Sequence, residues 1–187
     1  VDAGVFGAGV TVLCQNEIVP DATFELLKRA KASRARTMLN LAPAATLEPG
    51  MSDHLDILVA NEIEAAMAVG DETVGEDALA FAADLSQKLG LTVVITLGAD
   101  GAVAAGPDGH LRVDSLNIDP VDTTGAGDAF VGVLAAALDQ GASLPSALQR
   151  ASVGAGLACM GLGAQTSQPL KVDIEARLHD VKVTPIG

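Results

Sequence analysis

Four short apolar runs, at residues 10–14, 37–41, 57–60 and 92–97, constrain the fold of this chain more than any other feature. They are apolar almost throughout and do not alternate, so each strand would be buried on both faces, as in a parallel sheet. Helical patterns separate them. Pro20 or Asp21 opens one that continues to about Arg34, with Phe24, Leu27 and Ala30 at helical spacing. Asn61 starts a second that runs to Val69, and a third covers residues 76–89 and closes at Gly90. Pro43 and Pro49-Gly50 mark a loop. Such alternation predicts βαβ units with helices on the faces of the sheet. The residue supply agrees: 49% of 187 residues are hydrophobic, yet there is no Trp or Tyr and only 4 Phe, so Ala, Val, Leu and Ile must build the core. The length suits one domain spanning residues 1–187, with no internal repeat or low-complexity linker.

Beyond Gly98 the pattern changes. Residues 101–105 and 110–113 flank Gly106-Pro107-Asp108-Gly109 and read as an antiparallel hairpin. Helices are expected on the run 130–138, from Ser143 to about Cys159, and from Val172 to His179. The uncharged stretch 151–170 is rich in Gly, Ser, Gln and Thr and contains Pro169, so it reads as a buried helix and a loop, not a membrane span. No N-terminal segment has the order of a signal peptide, and the cytoplasm is the default location. A net charge of −13 argues against binding nucleic-acid phosphates, and any bound ATP would need locally placed cations or amides. Cys14 and Cys159 are isolated, and His54, His110 and His179 lack metal-ligand spacing and read as surface residues.

The densest chemistry lies in Asp122-Thr123-Thr124-Gly125-Ala126-Gly127-Asp128-Ala129-Phe130. Two glycines permit a tight turn and close approach to the main chain. The helix that follows would offer free amides and a positive dipole end to a phosphate. Asp128 places a carboxylate at the same spot, able to accept the proton of an attacking hydroxyl. A glycine turn capped by Asp before a helix is also a common structural device. Asn61 and Glu64 sit at i and i+3, where an amide and a carboxylate suit a water-mediated Mg²⁺ site or a capping box. Thr96-Leu97-Gly98-Ala99-Asp100-Gly101 ends a strand in a glycine turn, the kind of place where nucleotides sit, or simply a turn into a hairpin. The Gly7-Ala8-Gly9 run precedes a strand instead of following one, which excludes a dinucleotide fingerprint, and there is no P-loop run.

Asp-Thr-x-Gly-Ala-Gly-Asp-x-Phe resembles the C-terminal signature of the ribokinase (carbohydrate and nucleoside kinase, PfkB-type) family, complete from Asp122 to Phe130. Asn61-x-x-Glu64 resembles that family's Asn-x-x-Glu, and Asn40-Leu41-Ala42-Pro43-Ala44 its Asn-x-Ala-Pro-Ala stretch. The resemblance implies a three-layer α/β/α sandwich with a mostly parallel sheet and ATP-dependent phosphorylation of a sugar hydroxyl, ribose first, with another sugar or a nucleoside behind it. It implies Asp128 as base, also touching the sugar, with Gly125, Ala126 and Gly127 completing the anion hole. Nucleotide contacts carry over to Asn61, Thr96, Gly98, Gly101, Gly127 and Ser152. Mg²⁺ falls to Glu64, and K⁺ to Asp122, Thr124, Ala158, Gly161, Gly163 and Ser167. Glu17 matches a sugar-contacting Glu by its spacing to Asn61. Family chains carry a region before the point matching Val1, with a Gly-Gly sugar motif and the strands of a lid that forms a homodimer interface. The expectation is therefore the C-terminal, nucleotide-binding part of such a kinase, or a truncated non-catalytic nucleotide-binding module, with no nucleic-acid or membrane partner.

Overall fold

The computed structural model describes residues 3–71, 73–75 and 77–186. Contacts divide the chain into two compact units, the described residues up to 96 with 103–110, and 97–102 with 111–186.

The first unit contains β1 (Thr11–Gln15), α1 (Pro20–Ala32), β2 (Arg36–Asn40), β3 (Ile57–Asn61), α2 (Glu62–Ala68), α3 (Ala78–Leu89) and β4 (Thr92–Thr96). β5 (Ala102–Gly106) and β6 (Gly109–Val113) follow, joined across Pro107-Asp108. β1 to β4 pair in parallel, with Leu13 opposite Met38, Leu39 opposite Leu58 and Leu58 opposite Val93. Met38, Leu39, Leu58, Val59, Val93, Val94 and Ile95 are at most 1% exposed, which explains why the strands read as continuous apolar runs. Each expected strand is present with its ends shifted by one residue at most.

Local chemistry sets the helix ends. Pro20 occupies the first turn of α1, where its missing N–H costs nothing, and Thr23, Leu27 and Ala30 form the buried stripe of the helix. Asp77 caps α3 by accepting the Leu79 and Ala80 amides at 3.1 and 3.0 Å, and Gly90 ends it in the left-handed region at φ +71°. The helix start expected at Glu76 lies outside the described residues. Asp56, just before β3, accepts Lys31 Nζ at 2.5 Å and the Thr37 amide and hydroxyl at 2.9 and 3.0 Å, which ties α1 and β2 to the start of β3. Partial burial works against its charge, but Lys31 and Thr37 still hold its carboxyl below the ordinary range. His54 is half-buried, edge-on to the Phe24 ring at 5.2 Å, and so is less exposed than a surface residue.

The second unit contains α4 (Ala126–Asp139), α5 (Leu144–Ala158), α6 (Lys171–Ala176) and β7 (Val183–Ile186). α4 buries Phe130, Val131, Leu134 and Leu138; α5 buries Leu148, Ala151 and Val153. Gly154 lets these two helices close up, since a Cβ there would lie 2.9 Å from Val133 Cγ2. Arg150 pairs with Glu175 at 2.9 Å and fastens α6 to α5. The single helix expected from Val172 to His179 is broken: α6 ends at Ala176 and a 3-10 turn covers Leu178–Asp180. Gln149 Nε2 donates to the Leu178 and Val181 carbonyls at 2.9 and 2.8 Å, giving those groups partners outside a helix. Within this unit β7 neighbours the end of β6. β7, which the sequence did not suggest, is an edge strand, the position in a sheet that tolerates Pro185. Among the described residues no helix is long and apolar enough to cross a membrane; the uncharged stretch is the end of α5 and the loop after it.

Candidate active site

The signature run folds in the second unit as a clasped turn at the start of α4. Gly125 sits at φ +81° as the residue before the helix, and a Cβ on it would come within 2.9 Å of Ala164 Cα. Gly125 has no side chain with which to cap α4. The first amides of a helix have no partner within it, so its positive end is available to an anion. A Cβ built on Gly127 would meet nothing within 4 Å, so the space beside the first turn is open. Asp128 stands in that turn, exposed.

Asp122 holds the turn. Its Oδ1 accepts the Thr124 amide at 2.9 Å and its Oδ2 the Gly163 amide at 3.0 Å, while the Cys159 carbonyl receives the Val121 and Asp122 amides at 2.8 and 3.2 Å. One carboxylate thereby joins the turn before α4 to the loop after α5. Hydrogen bonds, from the Thr124 side chain foremost and then from the Gly163 and Thr124 amides, lower its pKa to about 2. Burial first, and the Asp122 charge second, push the neighbouring Cys159 thiol up, so it stays neutral. A depressed folded pKa adds stability above the free-carboxyl value of 3.8 and loses it as pH falls through about 2. Asp122→Asn, which turns an N–H donor toward one of these amides, is expected to be less stable than wild type by a constant amount from neutral pH to about 4. That difference should shrink toward pH 2 in urea titrations. A gap that persists undiminished at pH 2 would exclude a charge-based clasp.

The same loop gathers other expected cation positions. Gly161 packs on Ser167, with 3.0 Å between an added Cβ and the Ser167 Cβ, and the Gly163 carbonyl accepts the Ser167 amide at 3.2 Å and hydroxyl at 2.6 Å. Asp122, Thr124, Gly163 and Ser167 are thus in one hydrogen-bonded cluster with Gly161 packed against Ser167, and Ala158 is the last residue of α5. An ionised carboxylate among backbone carbonyls suits a monovalent cation, although Ser167 already engages the Gly163 carbonyl.

Other expected positions are placed less simply. In the first unit Asn61 and Glu64 form a capping box: Asn61 Oδ1 accepts the Glu64 amide and Glu64 Oε2 the Asn61 amide, both at 2.8 Å. This leaves Glu64 one carboxylate oxygen outside the cap. Thr96 Oγ1 reaches the Ala60 carbonyl at 3.5 Å. Glu17 is exposed and is not among the residues lining the nearby cavity of about 140 Å³, whose walls include Asn16, Leu41, Pro43 and Glu48. In the second unit Gly98 is exposed at φ +57°, but Gly101 is buried. A Cβ on Gly101 would fall 2.0 Å from the Val113 carbonyl oxygen, so this glycine serves close backbone packing. Ser152 is 5% exposed and donates its hydroxyl to the Asp114 carbonyl at 2.5 Å, a structural use where a nucleotide contact was expected. Among the described residues no three His, Cys, Asp or Glu side chains are grouped to hold a metal ion. A divalent ion would have to draw on water and ligand phosphates.

Together these features define a parallel α/β protein with a glycine-led helix start that carries a carboxylate in its first turn. The chain belongs to the pfkB family of carbohydrate kinases, whose pattern matches residues 7–171. It is 36% identical over 184 residues to ribokinase of Mus musculus, covering 94% of this chain and 56% of that protein. Its structure superposes on ribokinase of Thermotoga maritima with a TM-score of 0.83 at 27% identity, covering 96% of this chain and 60% of the other. Arabidopsis thaliana ribokinase, complexed with ribose and ATP, gives 0.82 at 29% identity, covering 91% and 56%. The fold is ribokinase-like α/β, and the chain spans a little over half the length of these relatives.

Proposed function

We propose that this protein serves ATP-dependent phosphorylation of a sugar hydroxyl, ribose before other sugars or nucleosides. The observation that carries the proposal is Asp128 in the first turn of a helix entered through Gly125, with open space at Gly127. The Asp128 carboxylate accepts the proton as the sugar oxygen bonds to the γ-phosphorus, and the bond from that phosphorus to ADP breaks. Amides of Gly125, Gly127 and Asp128, supported by the helix dipole, stabilise charge on the transferring group, while the Ala126 amide closes the turn on the Thr123 carbonyl at 3.2 Å. The Asp122 clasp keeps that turn in place before substrate arrives, so little reorganisation is left for the reaction. Within the same unit the exposed face at Gly98 is the nucleotide contact we assign to the turn after β4.

K⁺ is assigned to the Asp122 cluster, where it would stiffen the turn. Mg²⁺ is assigned through water to the remaining oxygen of Glu64, and it supplies charge neutralisation at the phosphates when bound. A homodimer and a cytoplasmic location complete the proposal. Support comes from the family membership and from the ribokinase complexed with ribose and ATP. Calorimetric titration with Mg-ATP, followed by a sugar-dependent ADP-release assay, tests it. We expect ATP binding and ribose-stimulated release. Absence of ATP binding overturns the proposal, and binding without turnover on any sugar identifies a nucleotide-binding module.

A further inference from the structure

We infer that Ser115 is a positioning residue for the nucleotide, because its hydroxyl tethers the turn Gly98–Asp100 from behind; this rests on the nucleotide reading of that turn. The turn closes on itself through Leu97 N–H to the Gly101 carbonyl at 2.8 Å, Asp100 N–H to the Leu97 carbonyl at 3.0 Å, and Gly101 N–H to the Gly98 carbonyl at 3.3 Å. Gly98, Ala99 and Asp100 are all exposed. Ser115 Oγ donates to the Ala99 carbonyl at 2.5 Å, and among the described residues no other side chain hydrogen-bonds residues 97–101.

Two opposed constraints follow. Movement toward the chain behind is blocked, because Gly101 already lies so close to Val113, Asp114 and Ser115 that an added Cβ would sit 2.0, 2.8 and 2.9 Å from their backbone atoms. Movement away is opposed by the Ser115 hydrogen bond. Gly98 and Gly101 both have positive φ, so the turn has unusual backbone freedom to lose. The tether's own anchor is firm: Asp114 N–H donates to the Lys182 carbonyl at 3.0 Å, and buried Ser152 donates to the Asp114 carbonyl. Ser152 thus acts on the turn at one remove, through the backbone that carries Ser115.

The test is calorimetric titration of Mg-ATP into wild type, Ser115→Ala and Ser115→Thr, with amide hydrogen exchange of residues 97–101 read in parallel. A single net hydrogen bond predicts about fivefold weaker ATP binding for Ser115→Ala and similarly faster exchange confined to the turn. Ser115→Thr, which keeps the hydroxyl, should restore both, while exchange in α4 stays unchanged in all three proteins. Equal ATP affinity in wild type and Ser115→Ala overturns the inference and leaves the proposed function standing. Exchange that rises throughout the unit, or no rescue by Thr, also overturns it, since the serine would then serve general stability. A wild-type chain that binds no Mg-ATP overturns the proposed function and the inference with it.

Discussion

Replacement of Asp128 by Asn is expected to lower sugar phosphorylation by roughly 10²- to 10⁴-fold, the usual contribution of a positioned general base. Asn fills the same volume in the first turn of α4 but cannot take up the hydroxyl proton. ATP affinity should change little, because the amides of the helix start and the Asp122 clasp are untouched. Stability should fall by only about 0.3–1 kcal/mol, the worth of an acidic side chain at the positive end of a helix. The measurement is turnover by sugar-dependent ADP release beside a thermal melt. Full activity in the variant would remove Asp128 from the chemistry and leave it as a dipole partner.

The largest structural effect is expected at Gly101. Its backbone, at φ +87° and ψ −126°, lies where side chains are excluded. An added Cβ would also meet the Val113 carbonyl oxygen at 2.0 Å, a backbone atom of β6 that cannot swing aside. Gly101→Ala should cost about 1–3 kcal/mol for the conformation and a further 1–3 kcal/mol for forced displacement of packed neighbours. Gly98→Ala is the control: φ is +57°, a Cβ meets nothing within 4 Å, and about 1–2 kcal/mol is expected. Urea denaturation of both variants decides the matter. Equal losses would show that close approach at Gly101 adds nothing to the cost of its dihedral angles.

The parts of the fold that were legible in the sequence are those governed by local pattern. β1 to β4 were visible because parallel strands buried on both faces must be apolar at nearly every position, and Val93, Val94 and Ile95 satisfy that without interruption. The start of α4 was visible because Gly125 has a local conformational reason, its positive φ; Gly127, expected to share it, lies within the first turn of α4 without a positive φ. The capping box of Asn61 and Glu64 was one of two readings open at that site, since it needs no distant partner. β7 was not visible, because a four-residue edge strand containing Pro185 carries no distinguishing pattern. The break after α6 was hidden too, because it depends on Gln149 reaching carbonyls about 30 residues away in sequence.

By itself the sequence determined the parallel α/β class and the turn that sets Asp128 at a helix start, because periodicity and glycine geometry act over a few residues. Only the tertiary structure decided which polar groups are spent on the fold. Ser152 turned inward to the Asp114 carbonyl, Gly101 became a backbone contact, and Ser115, a residue without any motif, became the tether of the turn. Asp122, expected as a cation ligand, also proved to be a clasp between two loops. A hydroxyl or carboxylate has the same sequence signature in each role. Its use is set by the donors and acceptors that packing brings within about 3 Å.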